Sequence, residues 1–422
     1  MTGAGKAIGE GAGAGSASAR PRGAGLRMLA VHRWLGRVVM LYFTLIFTTG
    51  TLLVFAPELQ ALMSPQMQRH SAVVTAEVNW PGLLDTAIAQ YPEAQPLILR
   101  APQSALLAGA VEMQHPGRGF VLWADPGTAV FQGVTPARGL HEILRLLHTH
   151  LMLDRKLMLI LVSLTSLLLI AQIVAGLRST PRFWRNWGRP PPMGVRARAM
   201  PRSLWGGLHR WVAVWSLPLL VVVATTALIY LAEAVGFEQT LPAAQPTART
   251  HEFGLPAGFD GADLARALSV AATALPGLEV REIYLPIRAG EGVRIRGDLT
   301  ALLVRPRANT VTVDPDDFSV LGVHRGEELS IYRRVMELAD PLHFGTFGGM
   351  PTRVLWAAMG VLATGLALSG LMIAAWRTSP VPDAPSPRAA VGAIFGPARL
   401  VLAATFLFVI SMLIFTLFLQ GS

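Results

Sequence analysis

Cysteine is absent from all 422 residues. Without thiolates the chain can hold no cysteine-ligated iron–sulfur cluster, no C-x-x-C-H haem attachment, no disulfide and no redox dithiol. Neither G-x-G-x-x-G after a strand nor G-x-x-x-x-G-K-[ST] occurs, which argues against a built-in nicotinamide site or a nucleotide-driven pump. Charge is scarce too. Only 15% of residues are charged and 52% are hydrophobic, a greasy balance for a soluble domain.

What is present is a set of long apolar runs. Five uncharged stretches, 38–57, 157–177, 211–232, 354–376 and 400–419, are each long enough to cross a hydrocarbon core of roughly 30 Å at about 1.5 Å per residue. The first lies too far from the N-terminus, and is too long, for a cleaved signal peptide. The basic residues sort the loops. The tail up to Arg37 has six bases and only Glu10 as an acid. Segment 178–203 has seven arginines and no acid, and 377–399 has three arginines against Asp383. These belong in the cytosol. The long connections 58–156 and 233–353 together hold 24 acids and 19 bases and belong outside. The formal net charge of +10 therefore describes span ends facing the cytosol, not a nucleic-acid surface.

The expected architecture is a membrane-embedded α-helical bundle, with four core spans as two duplicated pairs, a fifth C-terminal span and two periplasmic α+β domains. The boundaries expected are a disordered cytosolic tail over 1–26, span 1 over 27–57, the first external domain over 58–147 and span 2 over 148–177. A basic cytosolic loop over 178–203 leads to span 3 over 204–232. The second external domain covers 233–342, span 4 covers 343–376, a cytosolic loop covers 377–399 and span 5 covers 400–419. The N-terminus is then cytosolic and the C-terminus periplasmic.

The duplication rests on recurrences at nearly fixed offsets. His-Arg-Trp stands at the mouth of span 1 (His32) and of span 3 (His209), 177 residues apart, and Thr48-Thr49-Gly50 recurs as Thr225-Thr226-Ala227 at the same offset. Each external segment reads as a helix followed by strands. "WPGLLDTAIAQYP" (80–92) and "DGADLARALSVAATALPG" (260–277) are the helical pieces. The strand runs fold about Asp125-Pro126 and Asp314-Pro315 turns. After each hairpin a histidine precedes the next span: His148 in "LHTHLML" and His343 in "DPLHFGTFGG", 195 residues apart.

This order resembles the PepSY-associated transmembrane-helix family, and more narrowly its inner-membrane ferric-siderophore reductases. The resemblance is carried by "VHRWLG", "LLHTHLML", "LHRW" and "DPLHFGTFGGMPTRVLWAAMGVLATGLALSGLMIAAW", and it covers roughly residues 28–377. It implies PepSY-like domains in the periplasm, a place in the bacterial inner membrane, and two non-covalent b-type haems held by histidine. It further implies transfer of electrons from a cytosolic donor to ferric siderophore iron, with release of Fe(II), which is a haem-dependent oxidoreductase activity. The family more often has His-Arg-Asn where this chain has His148-Thr149-His150, so His150 stands as an alternative ligand to His148.

Topology sorts the histidines. His32 and His209 fall at the cytosolic face, His148 and His343 at the outer face. From His32 to the outer end of its span is about 35 Å of helix, whereas axial nitrogens approach a haem iron to about 2 Å from opposite sides. The expected pairs are therefore His32 with His209 and His148 with His343, one haem near each face. His141, seven residues before His148, shares its helix face as a second-shell group or spare ligand. His-Arg-Trp at a span mouth is also an ordinary interfacial anchor. Met152, Met158 and Met350 read as packing, and His70, His115, His251 and His324 as surface residues. Two other functions remain open: a cytochrome feeding a different periplasmic acceptor, and a haem-free permease or regulatory membrane protein.

Overall fold

The structure is a computed structural model, and it describes residues 22–70, 78–153, 155–180, 190, 201–237, 242–247 and 254–378. Four of its helices are long and apolar enough to cross a membrane. They are α1 (Arg22–Leu53), α5 (Arg155–Ser179), α6 (Pro201–Ala232, continued by a π-turn at Glu233–Phe237) and α10 (Gly349–Thr378). The expected fifth span over 400–419, the tail and most of the 178–203 loop lie outside the described residues.

The bundle is apolar outside and partly polar inside. Val38, Leu161, Leu164, Val221, Leu355 and Val361 are exposed, while Thr49, Ser163, Ser166, Ser216, Thr226 and Ser369 are buried. That inversion suits a lipid solvent, where small hydroxyl residues at helix contacts allow close approach and bond across or along the helices. Thr49, Ser216, Thr226 and Ser369 satisfy their hydroxyls on the preceding turn, as Thr49 Oγ1 does by donating to the Leu45 carbonyl at 2.9 Å. α1 and α6 each pack along both α5 and α10, which sets α1 and α6 on one diagonal of a four-helix ring.

The two long connections between spans form one continuous sheet. Its strands are β1 (Gln95–Arg100), β2 (Gly109–His115), β3 (Arg118–Ala124), β4 (Phe131–Pro136), β5 (Glu279–Tyr284), β6 (Val293–Asp298), β7 (Thr310–Val313) and β8 (Val320–His324). Their order is β4-β3-β2-β1-β5-β6-β7-β8, every neighbour antiparallel. The expected pair of separate domains is corrected on this point. The first strands of the two halves pair through Ile98–Tyr284, Leu99–Ile283 and Arg100–Glu282. An isolated edge at either strand would leave unpaired backbone groups, and each edge satisfies the other.

Two helices cover one face. α3 (Trp80–Gln90) starts at an Asn79 cap, and α7 (Gly261–Ala274) starts at an Asp260 capping box; each cap satisfies amide donors that a helix start leaves bare. Leu83, Leu84, Leu264, Val111, Ile283, Ile295 and Val311 from both halves share a single apolar core beneath them. The opposite face looks toward the bundle. There Trp123 packs on Ala61 of α2 (Ala56–Met63) and on Met67 and Leu107, and Arg305 reaches Glu233 at 2.8 Å and Asp340 at 2.9 Å.

Two span boundaries move. His148 and His343 were expected to open spans 2 and 4, but each sits on a short helix of its own. α4 (Leu140–His150) ends where Leu151 and Met152 take left-handed φ of 48° and 62°, and α5 starts at Arg155. Two consecutive non-glycine residues in that region are costly, and the surrounding packing has to hold them there. Beyond α8 (Ile331–Glu337), α9 (Ala339–Phe344) ends at Gly345 with φ 70°, before α10 begins at Gly349. A β-carbon at Gly345 would stand 2.5 Å from the Trp356 ring, so the turn needs glycine for space as well as for φ.

Candidate functional site

The bundle brings the four histidines together as two pairs. His32 on α1 and His209 on α6 face each other across the diagonal, with ring centroids 6.2 Å apart and planes at 65°. At the sheet-side end, His148 on α4 faces His343 on α9 at 6.3 Å and again 65°. Each pair joins the two halves of the chain. Along α1, His32 and Thr49, which holds His148, are separated by about 26 Å of helix, so the pairs lie near opposite ends of the bundle.

Every one of the four rings is fixed through Nδ1. His32 Nδ1 meets the Gln172 carbonyl at 3.1 Å, and His209 Nδ1 meets Ser369 Oγ at 3.0 Å. His148 Nδ1 meets Thr49 Oγ1 at 3.0 Å and the Ile46 carbonyl at 3.1 Å. His343 Nδ1 meets Thr226 Oγ1 at 2.8 Å. The hydroxyls of Ser369, Thr49 and Thr226 already donate to carbonyls of their own helices, so each accepts from the imidazole. All four rings therefore carry the proton on Nδ1 and keep a lone pair on Nε2. That is the tautomer of a metal-ligating imidazole with its outer-shell partner in place.

The spacing discriminates between two uses of such a pair. With a ring radius removed at each end, centroids 6.2 Å apart leave a gap of about 4 Å along the line between the two rings, longer than a hydrogen bond. Two metal–nitrogen bonds of about 2 Å each span that gap. No group of three or more His, Asp or Glu that could hold a bare ion occurs among the described residues. Two opposed imidazoles alone fit a metal whose remaining positions are filled by a macrocycle, as in haem. Glycines make room beside the rings: a β-carbon at Gly50 would lie 2.9 Å from His148, one at Gly176 3.2 Å from His32, and one at Gly370 3.4 Å from His209.

His150 and His141 fall elsewhere. His150 is buried and its Nδ1 engages Thr149 Oγ1; His148, not His150, faces His343. His141 stands two turns before His148, its backbone amide donating to Gln60. Burial lowers its proton affinity, and the charges of Arg145 and Arg100 lower it further against the pull of Glu142. His70 and His115 are exposed and His324 is half-buried; His251 lies outside the described residues. The sequence does not show that the hydroxyls of Thr49, Thr226 and Ser369 hold His148, His343 and His209 through Nδ1. The recurring Thr-Thr-small triplet was the available signal, since its second threonine is the imidazole partner in both halves.

Tyr230 adds a further layer on one side only. Its ring packs against His343 at 5.3 Å and its hydroxyl donates to Asp340 at 2.8 Å, while Asp340 also meets Arg305 from the sheet. The His148–His343 pair is thus tied to the sheet through α9.

Among curated proteins no relative matches the chain. The family model described as the PepSY-associated TM region matches residues 29–378, a span that takes in all four membrane helices, the sheet and both histidine pairs. The chain is a multi-pass membrane protein that belongs to the PepSY-associated transmembrane family.

Proposed function

We propose that the chain is a di-haem transmembrane electron conduit that reduces the iron of a ferric siderophore outside the inner membrane. Its electrons would come from a one-electron donor on the cytosolic side. The observation that carries this reading is the double occurrence of facing imidazoles at 6.2 and 6.3 Å, near opposite ends of one bundle. Haem, when bound, would supply a reversible one-electron carrier at each pair. His32 and His209 would hold the one on the cytosolic side, His148 and His343 the one beneath the sheet. The orientation is supported by the charges, since α5 ends and α6 starts at the end of the bundle away from the sheet, and the sequence 178–203 that joins them carries seven arginines and no acid.

The chain's own part is ligation, orientation and tuning. The Nδ1–H bonds fix each ring and raise the basicity of Nε2. The overall change adds one electron to chelated Fe(III) and yields Fe(II). Hard oxygen donors hold Fe(II) less well than Fe(III), so reduction loosens the chelate. No side-chain acid or base is required.

The purified protein is expected to be red, with about two haems per chain that acid-acetone extracts, because no cysteine can form a thioether. A colourless preparation from haem-replete cells would sink the proposal. The outer pair also makes a finer prediction. Thr226→Val removes the hydroxyl acceptor of His343, whereas Thr49→Val leaves His148 the Ile46 carbonyl. Losing one hydrogen bond of about 1 kcal/mol corresponds to a midpoint shift on the order of 40 mV for a one-electron couple. The shift should be upward, since a less basic ligand stabilises the oxidised iron less. Spectroscopic redox titration should show it for Thr226→Val and a smaller one for Thr49→Val. Equal or absent shifts would contradict the assigned second shell.

A further inference from the structure

The bundle-facing side of the sheet carries a knot of guanidinium groups around one tyrosine. Arg296, Arg294 and Arg100 lie 4.2, 5.3 and 5.9 Å from the Tyr284 ring centre. Two carboxylates answer them. Arg100 pairs with Glu112 at 2.8 Å and with Glu282 at 2.7 Å, and Arg296 approaches Glu282 at 3.6 Å. Arg294 has no carboxylate partner among the described residues, and its guanidinium lies over the Tyr284 ring. Its Nε is buried without a hydrogen-bond acceptor, and so is the Nε of Arg296.

Such an arrangement is costly as a brace. A buried donor with no acceptor loses its hydration without return, and three guanidinium groups in one place repel one another. An added anionic oxygen would meet both needs, because a planar guanidinium takes a carboxylate as a bidentate partner. The rim of the knot is reachable, with the Arg100 and Glu112 side chains 36% and 35% exposed, while Arg294 and Arg296 are half-buried. It also stands at the seam where β1 meets β5. Arg100 lies close enough to His141 to act on it electrostatically, and α4 leads from His141 directly to His148.

We infer that this face is a docking site for an anionic ligand bearing a carboxylate, with Arg294 as the anchoring cation and Arg100 and Arg296 flanking it. Resting on the function proposed above, it assigns the substrate class: ferric chelates with free negative charge, held over the His148–His343 end of the bundle. Neutral or cationic chelates would find no partner there.

The test separates binding from electron transfer by using gallium citrate, a redox-inert anionic chelate, with the full-length protein. Calorimetry should show binding that weakens about tenfold in Arg294→Gln and by a smaller factor in Arg294→Lys, which keeps the charge and loses the bidentate fork. For the wild type it should weaken as salt is raised. A cationic gallium trihydroxamate should bind no better to wild type than to Arg294→Gln. Equal binding of both chelates, or an unchanged affinity in Arg294→Gln, would overturn the inference. Should Arg294→Gln fail to fold, the salt series and the two-chelate comparison on the wild type decide alone. Reoxidation of the dithionite-reduced protein by ferric citrate is then a separate reading. Gallium citrate binding without ferric reduction would keep the docking site and remove the reductase.

Discussion

Replacing His32 or His209 with alanine is expected to remove one and the same haem, so that each variant keeps about half of the wild-type absorbance. Either change strips one axial nitrogen from a pair whose rings stand 6.2 Å apart, and a single imidazole cannot hold the iron from both sides. His148→Ala and His343→Ala are expected to remove the other haem for the same reason. The double variants within a pair should lose one haem, whereas a double variant across pairs, such as His32→Ala with His343→Ala, should lose both. The His32 and His209 variants should fail to accept electrons from the proposed donor. The sheet-side variants should stay reducible but fail to pass electrons to an external ferric chelate. His150→Ala should leave the spectrum close to wild type, since its ring is turned to Thr149. Loss of the same haem from His32→Ala and His343→Ala would show that the pairs are wrongly drawn.

The second large effect is expected at Arg353, on the first turns of α10. Its guanidinium grips Glu58 on α2 through two 2.8 Å contacts, donates to the Val54 carbonyl and lies 4.8 Å from the Phe55 ring. Side-chain exposure of the pair is only 8% and 15%. Arg353→Met strands a buried carboxylate, which costs about 3–5 kcal/mol and should lower Tm by roughly 10 °C. Adding Glu58→Met should recover most of that loss, because a buried pair replaced by apolar side chains is often near neutral. Burial alone would raise the Glu58 pKa, but Arg353 more than reverses it and holds the carboxyl below its usual value. The contribution is therefore complete at neutral pH and fades as pH falls below the ordinary carboxylate range. A Tm change of under about 2 °C in Arg353→Met would refute this role.

Much of this site could be read from residues alone, because its signals repeat. A histidine at the same offset in two spans, and a second pair at another offset, are visible without coordinates. So are α3 and α7, whose caps and apolar spacing are local. What could not be read is what depends on neighbours. Alternation in β1 and β5 shows which face is buried and is silent about the strand alongside, so the single sheet went unforeseen. The breaks after His148 and His343 differ in kind. Gly345 is a visible stop signal, whereas Leu151 and Met152 carry none. The partner of His32 is a backbone carbonyl, which every residue has. No pattern could have pointed to Gln172.

The three residue pairs that join β1 to β5 also impose an order on the making of this protein. β1 leaves the ribosome early, and its partner strand follows only after α5 and α6 have been synthesised. Until then the first half presents an unpaired strand edge to its surroundings, a surface that templates association. The finished sheet closes a loop that contains two membrane helices, a distant pairing of the kind that forms slowly. Biogenesis, rather than the folded state, is where a fault in β5 would first be felt: a chain with the seam disrupted should accumulate as an inserted but sticky half-product, open to proteolysis.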